Sequence, residues 1–174
     1  CGWAVEANFT NRDKWFKRDV QIAMSKARRA IRKEDALWAR RFFWVALAET
    51  ARVTSNSRTS TFKLHIRTQE DMDSRACDPI STFKKVVTRN IQHYEEQAKL
   101  LSESEKLARG HYLRDIVVSL ADVRKVQAQA NQDIGITSPP YGDNATTVPY
   151  GQYSYLPLQW IDLKDIDEDV NEDC

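Results

Sequence analysis

The chain has 174 residues, 41% hydrophobic and 29% charged, with a net charge of +1, a composition that supports one ordinary buried core. No apolar run approaches the roughly 18 residues of a membrane span, and the first residues lack the basic-then-apolar order of a secretory signal. Three cysteines, Cys1, Cys77 and Cys174, stand far apart and away from any histidine pair, which argues against a disulfide framework or zinc site and for a reducing, cytoplasmic setting.

The near-zero net charge conceals an asymmetry. Up to Arg67 there are 15 Lys and Arg against 6 Asp and Glu, whereas from Asp162 onward there are 1 and 7. A basic first half suits either a polyanionic partner or solvated helix faces. The chain starts without Met and ends in an acidic run closed by Cys174, so it reads as an internal piece of a longer protein.

In chain order, the spacing of Trp15, Phe16, Val20, Ala23, Ala27 and Ile31 predicts an amphipathic helix over Asn11–Lys33, with Thr10 or Asn11 as N-cap. A second, more apolar helix is expected over Asp35–Val53, with its aromatics in the core. Thr54–Thr61 is polar and reads as a loop, and Phe62–Arg67 alternates like a short strand. His65 has no nucleophile or ligand beside it and reads as a surface residue. Asp78-Pro79 opens a long helix carrying Ile80, Phe83, Val87, Ile91, Tyr94, Ala98 and Leu101, expected to reach Ala108 and to end at Gly110. Its length suits a helical hairpin or bundle more than a coiled-coil dimer.

Beyond residue 112 the pattern changes. The β-branched run Asp115–Leu120, a short helix over Val123–Ala130 and a second run Asp133–Thr137 form one strand–helix–strand crossover. Functional groups of such sheets gather beyond the carboxyl ends of the strands, which puts Asp122 and Ser138 on one rim. The expected organisation is a helical region over 1–112, a catalytic segment over 113–161 and an acidic, solvated end over 162–174. The aromatic stretch Val148–Tyr155 reads as a flexible loop.

Directly after the second expected strand comes Thr137-Ser138-Pro139-Pro140-Tyr141. This resembles the catalytic loop of DNA methyltransferases that act on exocyclic amino groups, where Ser, Asp or Asn precedes Pro-Pro-Tyr. The resemblance implies an α/β fold, part of a Rossmann-like S-adenosylmethionine methyltransferase sheet preceded by a mostly helical insertion. It implies S-adenosylmethionine as cofactor, double-stranded DNA as substrate and a restriction endonuclease as partner, with no membrane. Serine at the first loop position leans towards cytosine N4 over adenine N6. In the family the strand before the loop ends in an acidic residue that contacts the cofactor's adenine, and Ile116–Asp122 matches that pattern, making Asp122 the cofactor residue. One feature departs. The family's glycine-rich Asp-Pro-Phe-x-Gly-Ser-Gly loop is absent, and five glycines in the whole chain cannot replace it. That loop is expected before Cys1, and a target-recognition region after Cys174. The piece alone is accordingly expected to be inactive.

The chemistry also follows from the residues. The lone pair of an aromatic amino group is delocalised into its ring. A site accepting hydrogen bonds from both N–H groups favours pyramidalisation and frees that lone pair for attack. The Ser138 hydroxyl and the Pro139 carbonyl are two such acceptors, Pro139-Pro140 stiffens the turn, and Tyr141 offers a stacking face to a base taken out of the duplex. Two other readings remain open: a non-enzymatic basic helical module that binds nucleic acid, and a methyltransferase acting on an RNA or protein amino group.

Overall fold

The computed structural model describes residues 4–61, 63–118, 134–136 and 150–170. It divides into two compact units, one formed by residues 1–92 with 148–174 and the other by residues 93–147.

The first unit is helical. α1 (Arg12–Trp15) and α2 (Arg18–Arg32) replace the single helix expected over Asn11–Lys33. The break falls at Phe16 and Lys17, both in extended conformation. Extending the backbone there lets both neighbouring aromatics reach the interior, and Trp15 and Phe16 are both buried. Gln21 supports the break: its side-chain amide donates to the Phe16 carbonyl at 2.8 Å and to Asp13 at 2.9 Å. Asn11 occupies the N-cap position but in left-handed conformation, without a side-chain cap. Along α2, Val20, Ala27 and Ile31 are buried as their spacing predicts, and Met24 is buried where Ala23, half-buried, was expected.

α3 (Leu37–Thr54) packs against α2. Its aromatics depart from expectation. Trp38 is 76% exposed and Val45 also faces outward, while Trp44, on the opposite side, is 1% exposed. A helix this apolar has more than one face that could turn inward, so hydrophobicity alone does not choose among them. Two buried threonines close their own hydrogen bonds to the preceding turn, Thr50 to the Ala46 carbonyl and Thr54 to the Thr50 carbonyl.

A short α4 (Gln69–Ser74) follows, capped by the Thr68 hydroxyl. α5 (Pro79–Glu103) then begins as expected, with the Asp78 carboxylate accepting from the Ser81 amide at 3.0 Å. Ile80 and Phe83 pack on the core of the first unit. Further along, Ile91 and Tyr94 lie exposed.

In the second unit α5 stops earlier than its periodicity suggests. Glu105 takes a positive φ of 54°, its amide bonds to Ser102, and the Lys106 amide bonds back to the Leu101 carbonyl at 2.8 Å. This is a Schellman ending with glutamate where glycine is usual. Gly110 does a different job. With Arg109 it forms the two-residue positive-φ turn joining β1 (Leu107–Ala108) to β2 (His111–Tyr112), an antiparallel pair. That hairpin is the one multi-residue sheet among the described residues.

The expected crossover sheet does not form in the parts that are described. Residues 115–118 and 134–136 are irregular, and Ile116, Val117, Val118, Ile134 and Ile136 are all exposed, Val118 at 92%. A β-branched run becomes a strand only when a neighbour supplies its hydrogen bonds and covers its side chains, and no described segment does so. The short helix expected over Val123–Ala130 lies outside the described residues. Phe62–Arg67, expected as a strand, contributes only one isolated bridge, between Ile66 and Ser57. No described helix is long and apolar enough to cross a membrane.

Candidate functional site

Asp122, Ser138, Pro139, Pro140 and Tyr141 lie outside the described residues, as does the loop over 142–149. The structure instead defines the element that follows the motif and what holds it. From Tyr150 the aromatic stretch is helical, not a loop: α6 (Tyr150–Leu158) packs on α3. Its placement comes from aromatic burial. Trp160 is fully buried, its ring edge-on to Phe16 at 5.3 Å and to Phe9 at 6.4 Å, and Phe9 meets Tyr155 at 6.2 Å. Leu156 completes the cluster. The segment from α6 to Trp160 is thereby anchored in the first unit's core.

The segment after α6 is held by charge. Arg40 grips the Asp165 carboxylate through Nε and Nη2, both at 2.8 Å, and the Trp44 indole N–H donates to the same carboxylate at 2.7 Å. Arg41 donates to the Asp165 carbonyl, and Arg32 pairs with Asp162 at 2.8 Å. The expectation of a solvated acidic end is corrected at Asp165, whose side chain is only 15% exposed, whereas Asp167, Glu168 and Asp169 are exposed as expected. Part of the basic first half is thus neutralised internally, by acids more than 100 residues away in sequence. Hydrogen bonds from Arg40, and then from Trp44, hold the Asp165 carboxyl below its ordinary pKa. Such a group stabilises the folded chain above the unfolded value of about 3.9, and its contribution is lost as pH falls through the lower folded value. Urea midpoints measured from pH 6 down to pH 3 should therefore fall more steeply for the wild type than for Asp165→Asn. Equal slopes would contradict this account of the carboxylate.

The loop after α3 is the most built polar feature among the described residues. Ser55, Asn56 and Ser57 are buried, and their polar groups are engaged. The Asn56 amide donates to the Trp15 carbonyl at 2.8 Å, and its side chain to the Lys14 carbonyl at 3.0 Å. Arg75 donates to the carbonyls of Ser55 and Val53 at 3.0 and 2.8 Å, a cation on the carbonyl end of α3 where the helix dipole favours it. Arg75→Ala should cost about 1–3 kcal/mol by leaving those two acceptors unpaired; a thermal melt unchanged from wild type would show that water satisfies them equally well. The neck of the loop closes where the Arg58 amide meets the His65 carbonyl at 2.8 Å and Ser57 bridges Ile66. Beyond the neck, Arg58, Thr59, Ser60, Thr61 and Lys63 are exposed. Leu64 ties the tip to α6, donating its amide to Gln152 at 3.3 Å.

Over 166 residues the chain is 34% identical to the Type II methyltransferase M.MvaI of Kocuria varians. The chain is similar to a Type II methyltransferase. The match takes in 92% of this chain and 35% of that relative, so the chain spans about a third of the relative's length. No family model and no solved structure matches.

A match of that extent runs through the interior of the chain, which contains both the Ser138–Tyr141 motif and the loop after α3. Reading the sequence assigned no role to that loop, although a signal was present. No Asp or Glu occurs between Glu49 and Glu70, a stretch that holds Arg52, Arg58, Lys63 and Arg67. Of these, Arg52 is paired with Glu49 at 2.8 Å and Arg67 with Asp71 at 3.7 Å. Arg58 and Lys63 make no ion pair with any described residue.

Proposed function

We propose that this chain carries the target-base loop of an S-adenosylmethionine-dependent DNA methyltransferase, acting on an exocyclic amino group and on cytosine N4 in preference to adenine N6. The observation that carries the reading is Ser138-Pro139-Pro140-Tyr141 in a chain that matches a Type II methyltransferase over most of its length. In this reading residues 113–161 are the catalytic segment, residues 1–112 a helical insertion and residues 162–174 an acidic end. DNA is the substrate, and a restriction endonuclease is the partner such a modification implies.

The Ser138 hydroxyl and Pro139 carbonyl accept the two amino hydrogens of the extruded base, which draws the nitrogen towards a pyramidal geometry. Pro139-Pro140 restricts the backbone so that little freedom is lost when the base arrives. Tyr141 stacks on the ring, an interaction worth about 1–3 kcal/mol per base. The bound cofactor supplies an electrophilic methyl. Asp122 is the residue of this chain assigned to the cofactor's adenine; the family's glycine-rich cofactor loop does not occur in this chain. No covalent bond to the base is required, in keeping with the lack of a Pro-Cys pair in the chain.

The test is transfer of labelled methyl from S-adenosylmethionine by the product of the complete reading frame, offered duplex DNA, RNA and protein in parallel. Label entering DNA alone is the expected result. Label entering RNA or protein in its place would overturn the assignment of substrate.

A further inference from the structure

We propose that the tip of the loop after α3, presenting Arg58 and Lys63 among the hydroxyls of Thr59 and Ser60, grips the sugar–phosphate backbone of the DNA substrate. The proposal rests on the methyltransferase reading for the identity of the polyanion, and on the loop's own geometry for the contact.

Three observations carry it. First, the two cations are available. Both are exposed, neither makes an ion pair with a described residue, and the intervening positions offer hydroxyl donors without a single acid. A solvated face that merely needs solubility mixes charge signs; this one excludes acids over the whole stretch between Glu49 and Glu70. Second, the tip stands on a rigid base. The bonds at Arg58 and Ser57, the buried Ser55–Ser57 segment and the Arg75 brace hold the neck of the loop, and the Thr61 hydroxyl donates to the Lys63 carbonyl at 2.9 Å. Cations flanking a hydrogen-bonded neck lose less freedom on binding than cations on an unsupported chain. Third, the cavity beneath the tip, bordered by Ser57, Arg58, Thr61, Lys63 and Tyr153, has a volume of only about 20 Å³. That admits a water-sized group and is far below the roughly 300 Å³ of a small-molecule pocket. A surface-lying phosphate chain suits such a site; an enclosed metabolite does not. Gln152 links this loop to α6, the helix that follows Ser138–Tyr141 along the chain.

Phosphate contacts by lysine and arginine release counterions, at about 0.9 in the slope of log affinity against log salt for each phosphate neutralised on duplex DNA. Fluorescence anisotropy of a labelled duplex, titrated with the product of the complete reading frame at 25 to 200 mM salt, reads this directly. The probes are the wild type, the double variant Arg58→Gln/Lys63→Gln, and Lys84→Gln/Lys85→Gln, which removes the same charge from the exposed face of α5. The expected result is a salt slope smaller by about 2 in the first double variant, weakened binding irrespective of DNA sequence, and a slope in the α5 variant close to wild type. Circular dichroism should be unchanged, since both replaced side chains are exposed. A slope that falls equally in both double variants would overturn the clamp by showing general charge attraction. So would a wild type that does not bind duplex at 25 mM salt, or one that prefers an RNA hairpin. The methyltransferase reading fails separately, in the labelled-methyl assay, which does not depend on this loop's contribution to affinity.

Discussion

Replacing Ser138 with alanine should lower methyl transfer by about a hundred- to a thousandfold, and replacing Tyr141 by about five- to 150-fold, with the fold intact in both. Ser138→Ala removes one of two acceptors for the amino hydrogens. Loss of a single preorganised hydrogen-bonding group at a reacting centre costs about a hundred- to a thousandfold in rate. Tyr141→Ala removes the stacking face, so its loss should fall on binding of the extruded base as well as on turnover. The two variants should therefore separate in steady-state kinetics: Ser138→Ala mainly in kcat, Tyr141→Ala in both kcat and KM. Ser138→Thr, which keeps the hydroxyl, should recover part of the activity. Undiminished turnover in both alanine variants would refute the assignment of the loop.

The largest effect on stability is expected at Trp160. Its side chain is fully buried between Phe9 and Phe16 and anchors the segment that follows α6. Trp160→Ala should cost about 3–5 kcal/mol, a large share of the 5–15 kcal/mol typical of a whole domain. Trp160→Phe should cost much less. It keeps an edge-on aromatic, and the indole N–H that it deletes meets no acceptor among the described residues, so no hydrogen bond is lost. Urea unfolding of the three proteins measures both values. An alanine variant within about 1 kcal/mol of wild type would mean that this aromatic cluster does not hold the first unit together.

The features legible in the sequence were those set by local rules. The Val20–Ile31 seam follows from a 3.6-residue period, and the start of α5 follows from the Asp78 cap and a proline already in helical φ. Features that depend on distant partners were hidden. The break at Phe16 arises because the aromatic is drawn to Trp160, far along the chain. Trp44 rather than Trp38 turned inward because the indole N–H of Trp44 finds Asp165, a partner with no local signature. Gly110 was expected to end α5 and instead closes the β1–β2 hairpin, since glycine serves both jobs with the same positive φ. The β-branched runs around Val117 and Ile136 were read as strands from composition, yet a strand exists only in company. The candidate site was legible differently: Ser138–Tyr141 and Asp122 stood out through their chemistry, while the Arg58–Lys63 loop stood out only once its buried base, and cations with no ion pair among the described residues, were visible.

The central claim, that a proline-stiffened turn holds the amino group of a flipped base for methylation, is tested most directly by mass spectrometry of nucleosides. DNA would be digested from cells expressing the complete reading frame, either wild type or Ser138→Ala. The account predicts N4-methyldeoxycytidine in the wild type and its near disappearance in the variant. An equal yield of methylated nucleoside from both, or 5-methyldeoxycytidine in its place, would contradict it.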